Sequence, residues 1–371
     1  MLRRLPNLTK MAESAAKRLK SDLSPEPITI GTHNGHFHAD EALAVYMLRT
    51  HIPRYHGAKL VRTRDPAVLA TCDTVVDVGG EYDPERNRYD HHQRTFTTTF
   101  PGRTATKLSS AGLVYMHFGK EIIAGRRGAA GEGSSSDFST VDLLYGKIYE
   151  SFVEALDAHD NGVSAYDPAA LAAAGVERRF SEGGFSLGAM VGRLNPSWND
   201  PAPADPAAAQ AAEDARFVEA SARIGQEFDR DLDYYIRAWL PARDIVARAY
   251  GEKARYDPQG RIMVLSGQSC PWKDHLYSLE EESPDSGKAL YVLYPEKPAP
   301  DAKWRVQAVP VSKDSFESRK PLPKEWRGFR DEELDKVSGV PGCVFVHAAG
   351  FIGGNKTFEG ALELAKKALD L

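Results

Sequence analysis

The sequence predicts an α/β fold in two parts, and three observations carry that expectation. Short β-branched runs such as Ile28-Thr29-Ile30 and residues 74–78 alternate with stretches whose apolar residues recur every three or four positions. At 371 residues the chain exceeds what one hydrophobic core usually organises. A Pro/Ala-rich break at residues 201–206, followed by a long Ala-rich helical pattern, marks where the halves separate.

The net charge of −5 gives no global basic field, so any nucleic-acid contact has to come from local patches. The cysteines, Cys72, Cys270 and Cys343, lie far apart and form no CxxC pair, which argues against a disulfide framework and for a reducing compartment. No apolar run approaches the roughly 20 residues that span a bilayer. The expectation is a soluble intracellular protein with no membrane partner.

Residues 1–27 read as a targeting or disordered tail. Arg3, Arg4, Lys10, Lys17, Arg18 and Lys20 face one acid, Glu13, a balance suited to an organellar transit peptide. Lys17-Arg18-Leu19-Lys20 serves equally as a short nuclear-import patch, and Met11 as a second start. Residues 28–200 then form the first domain. Its strands are expected at 28–30, 60–64 and 74–78, the last running into Asp77-Val78-Gly79-Gly80. An acid closing an apolar strand before glycines is where open α/β sheets place ligand contacts. A helix at 41–50 has Asp40 near its start, where capping is the plainer explanation.

A helix at 109–118 begins at Ser109-Ser110, whose hydroxyls and backbone N–H groups, with Lys107, are suited to an anion. Residues 125–137 (GRRGAAGEGSSSD) read as a surface loop, and Thr140 as the cap of a helix ending at Asp157-Ala158-His159-Asp160-Asn161-Gly162. Asp157 and Asp160 oppose the dipole at that helix end, which a cation would relieve. Residues 201–241 form a linker and a connecting helix stopping at Pro241. Residues 242–371 form the second domain, with strands at 261–265, 289–294, 304–310 and 343–347. Gly350-Phe351-Ile352-Gly353-Gly354-Asn355-Lys356-Thr357 reads as a glycine-rich oxyanion loop with Lys356 at its mouth. The run Arg319, Lys320, Lys324, Trp326, Arg327 and Arg330 suits phosphate contact with base stacking, or a solvated loop.

Two runs concentrate the chemistry: residues 31–41, with His33, His38 and Asp40 as candidate ligands, and Asp90-His91-His92. Adjacent histidines beside acids are costly to bury without a role. With Asp77, Asp157 and Asp160 they exceed what one tetrahedral zinc needs. They suit two closely spaced divalent ions hydrolysing a phosphoester, and mixed Asp/His ligation favours Mn2+ over Mg2+.

The stretches GTHNGHFHADEALA, VVDVGGEYDPERNRYDHHQRTF, KLSSAGLVY, DNG, RLNPSWN, SCPWKDHLY and GCVFVHAAGFIGGNKT resemble, in order, the DHH phosphoesterases and more closely the Myg-one exonuclease family. The resemblance implies a DHH-type N-terminal domain and a smaller α/β substrate-binding domain. It implies metal ligation by His33, Asp40, Asp77 and Asp90, with His38 standing where other DHH enzymes carry an aspartate. His91 is expected to bind metal or substrate phosphate, His92 to support it, and Asp160 to be the further acid in preference to Asp157. Asp77, Asp90, His91 and His92 are the expected catalytic residues, and His92, Arg94, Lys107, Ser109, Ser110, Arg193, Asn195, Gly353, Gly354 and Lys356 the expected substrate contacts. The implied activity is a 3′–5′ exoribonuclease acting on RNA in mitochondria and nucleus, with the cytoplasm as a further compartment. The alternatives are a phosphohydrolase of pyrophosphate or short oligonucleotides, and a non-catalytic RNA-binding protein.

Overall fold

The computed structural model describes residues 27–371 except 130, 132–137, 178, 181–183 and 202, so most of the basic tail lies outside the described residues. The chain divides into two compact units, up to Leu232 and from Asp233 onward, a division that falls inside the helix the sequence assigns to the linker. No helix among the described residues is long and apolar enough to cross a membrane.

The first unit is built on β1 (Thr29–Thr32), β2 (Lys59–Arg62), β3 (Thr74–Val76), β4 (Tyr82–Asp83) and β5 (Arg88–Tyr89). Their order is β2-β1-β3-β5-β4. All neighbours pair in parallel except the edge strand β4, which runs antiparallel to β5. Every residue of β3 is buried, as a strand covered on both faces should be. Helix α1 (Ala39–His51) buries Ala39 through Val45 plus Met47 and Leu48, and it packs against α2 (Ser110–Ala129). A helix buried on nearly every side shows little amphipathicity, which is why its spacing reads weakly in the sequence.

Helix α2 runs well past the expected end at residue 118 and takes Gly125–Ala129 out of the expected loop; 132–137 lie outside the described residues. Next come α3 (Phe138–Ile148), a π-helical turn at Tyr149–Val153 and α4 (Glu154–Asp160). Thr140 lies inside α3 rather than capping it. The aromatic side chains explain this helix's packing: Tyr149 stacks on Phe100 at 3.6 Å between ring centroids, and Tyr145 on Tyr115 at 5.3 Å. After α5 (Leu187–Gly192), Asp205 accepts from the Ala208 N–H and starts α6 (Pro206–Tyr234), as its cap-then-proline sequence predicts. Phe217, Ile224, Phe228 and Leu232 form its buried stripe. Gly225 lets the helix close on α1, because a Cβ there would lie 2.1 Å from the Tyr46 ring.

In the second unit the expected stop at Pro241 does not occur. A π turn at Tyr235–Trp239 leads without a break into α7 (Leu240–Gly251), so the helical path continues through Pro241. The sheet comprises β6 (Ile262–Val264), β7 (Tyr291–Pro295), β8 (Trp304–Ala308), β9 (Cys343–Val346) and β10 (Ile352–Asn355), ordered β6-β7-β8-β10-β9. Only β6 and β7 pair in parallel. Alternate residues serve opposite cores. Ile262, Val264, Tyr291 and Leu293 meet Leu364, Ala365 and Ala368 of the C-terminal helix, whereas Met263 and Val292 meet Val246, Trp272 and Leu276.

Two sequence readings are corrected here. Gly353 and Gly354 form a buried strand, not a loop, because backbone packs directly on them. A Cβ on Gly353 would sit 3.0 Å from the Phe345 carbonyl, and one on Gly354 would sit 3.0 Å from that of Trp304. Of the three contacts expected from that loop, Gly353 and Gly354 are buried and Lys356 is exposed. Most of the basic run is tied down rather than forming an open groove, while Lys324 and Arg330 stay exposed. Trp326 is core, Arg319 pairs with both oxygens of Glu280, and Lys320 and Arg327 donate to the carbonyls of Leu369 and Leu322.

Candidate metal centre

Three adjacent parallel strands end together, and each hands its next residue to one site. β1 leads into His33, β3 into Asp77 and β5 into Asp90-His91-His92; the end of α4 adds Asp160. Parallel strands put their carboxyl ends on one edge, so side chains distant in sequence converge there. Asp77 turns out of β3 at φ +58°, in the left-handed region that aspartate tolerates better than most residues, while its N–H donates to Tyr89.

Asp77 is the hub. His33 Nε2 lies 3.3 Å from its Oδ2, and His91 Nε2 lies 3.4 Å from its Oδ1, to which Ser110 Oγ also donates at 3.1 Å. His33 Nε2 further reaches Glu41 at 3.1 Å, and His91 Nε2 reaches Asp160 at 3.0 Å. The possible ligand atoms fall into three overlapping groups: His33, His38, Glu41 and Asp77; Asp77, His91 and His92; His38, Asp40 and Asp160. Within each group they lie within 4.8 Å of one another. Asp77 and His38 each belong to two groups, and the Asp77 carboxylate has the two oxygens that bridging neighbouring ions requires.

The electrostatics say what is missing. Asp40 is buried with neither carboxylate oxygen hydrogen-bonded, and burial, with the charges of Asp77, Asp160 and Glu41, pushes its pKa well above the usual range. Burial pulls the His33 ring down, but Asp77 and Glu41 outweigh it and raise it to about 10. His91 behaves likewise: burial is overcome by Asp160 and Asp77, again to about 10. Its Nε2 nonetheless makes no aligned hydrogen bond. Crowded acids, orphaned carboxylate oxygens and an unbonded imidazole nitrogen are the donor set that divalent cations complete. The residues fit such ions.

Asp90, expected as a ligand, stands outside these groups. Its Oδ1 accepts from His92 Nδ1 at 2.7 Å and from the His92 N–H, and its Oδ2 accepts from the Gly80 N–H at 2.6 Å. Burial would raise the Asp90 carboxyl, but these donors, His92 first, hold it below its ordinary value, and the same pairing raises His92. Asp90 therefore orients His92, which is 62% exposed in its side chain.

Asp157 is likewise settled as structural. Both its oxygens are taken, by the Ser109 N–H and Oγ at 2.9 and 2.7 Å and by Tyr149 Oη at 2.8 Å. Ser109 and Ser110 accordingly hold no substrate anion: both are fully buried, and the acids they serve are Asp157 and Asp77. Asn195 is buried and clasps both backbone groups of Phe37, so it does not match its expected substrate role, while exposed Arg193 donates to the Gly184 carbonyl. Arg94 and Lys107 do line the cleft, of about 730 Å3, that opens over Asp40, Asp77, His91 and Asp160; His36, His38, His92 and His159 complete its polar wall. Glu41 is the member that sequence reasoning passed over. At the third position of α1 it caps the His38 N–H, which is its plainer reading.

The MYG1_exonuc family model, described as "Uncharacterised protein family (UPF0160)", matches residues 29–369. Human MYG1 exonuclease is 48% identical over 95% of this chain and 88% of its own length. The chain belongs to the MYG1 exonuclease family. The bovine MYG1 exonuclease is 47% identical over 99% of this chain and 91% of its own, and the fission-yeast MYG1 protein C694.04c 46% identical over 92% and 98%. Manganese-bound exonuclease RecJ aligns over 96% of this chain at 13% identity and a TM-score of 0.21, too low to carry an argument. Within this MYG1 chain the expected ligands His33, His38, Asp40, Asp77, His91 and Asp160 come together, Glu41 joins them, and Asp90 stands behind His92.

Proposed function

We propose that this chain is a metal-dependent phosphodiesterase that shortens RNA from its 3′ end, using two divalent ions, Mn2+ in preference to Mg2+. The observation that carries the reading is Asp77, shared between two ligand groups beneath an open cleft. The name exonuclease borne by the mammalian relatives supports a nucleic-acid substrate.

His33, His38, Glu41 and Asp77 would hold one ion, and Asp77, His91, Asp40 and Asp160 the neighbouring one. Bound there, such ions supply an activated water and stabilise charge on phosphate oxygens. The chain's own residues do the rest. Asp90 fixes His92 through Nδ1, leaving Nε2 to face a substrate oxygen and donate a proton to it. Arg94 and Lys107 on the cleft wall hold the phosphates that flank the scissile bond. Within the second unit, exposed Lys356 is the proposed phosphate contact. The basic, acid-poor stretch before residue 21 supports work in mitochondria and nucleus.

The test is a 5′-labelled RNA and its DNA counterpart, incubated with Mn2+, Mg2+, Zn2+ or chelator. The expected result is stepwise shortening of RNA from the 3′ end, fastest in Mn2+ and absent in chelator or in Asp77→Asn. Shortening from the 5′ end, or turnover of pyrophosphate alone, would refute the exoribonuclease reading; RNA binding without turnover in any metal would refute catalysis. Deleting residues 1–27 from a fluorescent fusion tests the address.

A further inference from the structure

The loop that carries His33, His36 and His38 is gripped at the residues between them. Gly35 is held on both sides of its backbone. Its N–H donates to Glu213 Oε1 at 2.6 Å, and its carbonyl accepts from Arg62 Nη2 at 2.8 Å. Arg62 Nη1 closes the ring on the same Glu213 oxygen at 2.8 Å. Two residues on, Phe37 is held the same way. Its N–H donates to Asn195 Oδ1 and its carbonyl accepts from Asn195 Nδ2, each at 2.9 Å. The Phe37 ring is fully buried, edge-on to Phe217, and the Arg62 guanidinium lies 4.7 Å from the Phe217 centroid.

Neither grip is local. Glu213 and Asn195 are 178 and 158 positions away from the residues they hold. Arg62 has a fully buried side chain, so its charge is spent on this loop and on Glu213 and Asp214 rather than on solvent. A buried guanidinium is costly unless paired, and here the pairing closes on the metal loop. Gly35 adopts φ +84°, a conformation the loop needs to bring His33 and His38 to the same side.

We infer that Arg62, Glu213 and Asn195 are positioning residues for the metal centre, a clamp that fixes the backbone at Gly35 and Phe37 so that His33 and His38 stand ready to ligate. The inference rests on the metal-centre reading of the proposed function. It assigns work to two sequence features the hydrolytic site leaves unused, Arg62 in the second strand and Asn195 in the Arg193-Leu194-Asn195-Pro196 stretch. Groups that orient metal ligands from behind typically set affinity by 10–100-fold.

Direct Mn2+ binding to the full chain without substrate tests this, read from the loss of the free-ion spin-resonance signal. Glu213→Gln keeps an acceptor for Gly35 but loses the ion pair, and Asn195→Asp keeps the acceptor for Phe37 but loses the donor. The expected outcome is Mn2+ affinity about tenfold weaker in each, with metal-free melting temperatures close to wild type. Glu213→Ala should be weaker still, and Asp214→Asn, which touches Arg62 but not the loop, should bind as wild type. Wild-type affinity in both folded variants, or equal losses in Asp214→Asn, would overturn the clamp alone. Failure of the wild-type chain to bind Mn2+, Mg2+ or Zn2+ would overturn the metal-centre reading and the clamp with it.

Discussion

Asp40 and Asp157 are both fully buried acids of the first unit, and burial raises both carboxyls. They differ in what surrounds them. Around Asp157 donors converge: the Ser109 hydroxyl and N–H, Tyr149 Oη and the Gly112 N–H offset burial and leave the carboxyl at about 7. Around Asp40 stand further acids, Asp77, Asp160 and Glu41, with the His38 ring beside them, and no donor bonds either of its oxygens. Depth of burial does not separate a structural acid from the proposed metal ligand; the count of donors does. Asp157 is the acceptor for the donors at the start of α2, the Ser109 N–H and hydroxyl. Asp40 waits for a charge the polypeptide does not supply.

The contrast can be broken in four ways, taken from the largest effect. Asp40→Asn should lower metal-dependent turnover about a thousandfold, or ~4 kcal/mol of transition-state stabilisation, while Asp157→Asn leaves Mn2+ affinity unchanged. Steady-state kinetics beside metal titration would show it, and equal losses in both variants would erase the distinction. Next, Asp157→Ala should cost about 3 kcal/mol of folding stability because buried donors lose their acceptor. Gly112→Ala should cost about 2 kcal/mol, since its Cβ would meet the Asp157 carboxylate at 2.3 Å. Urea melts in chelator measure both.

Third, Asp90→Asn should bind Mn2+ normally and turn over about tenfold more slowly, because it orients His92 rather than holding an ion. A collapse of metal affinity would return Asp90 to the ligand set. The smallest effect is on pH. The native state holds the Asp157 proton up to about pH 7, whereas the unfolded chain releases it near 3.8. The stability this contributes is complete below 3.8 and lost as pH rises towards 7. Relative to Asp157→Asn, the wild type should therefore weaken from pH 5 to pH 8 in chelator. A parallel pH profile for the two would mean that the carboxylate is ionised throughout.

Much of this was legible in the sequence where cause and effect are close together. Strand, acid and glycine at 74–80 announced Asp77, and the cap-then-proline at Asp205-Pro206 announced α6. What escaped was decided by partners far along the chain. Ser109-Ser110 looks like an anion site, but the acceptor that Ser109 meets is the Asp157 carboxyl, 48 positions on. Asn195 and the Gly353-Gly354 pair look like substrate contacts until the backbones packed on them are seen. Glu41 was hidden by a local explanation that is also true, since a capping glutamate can face an ion with the same carboxylate. Proline at 241 misled because a π turn, set by packing, absorbs it.

The left-handed backbone at Asp77 inverts the usual ranking of conservative substitutions. Asparagine and glycine accept that conformation, whereas a longer side chain pays roughly 1–2 kcal/mol for it. Asp77→Glu, which preserves the charge, should therefore disturb the fold more than Asp77→Asn, which removes it. At this position the chemistry can be deleted more gently than it can be lengthened, and aspartate is the acid that both the chain and the cleft accept.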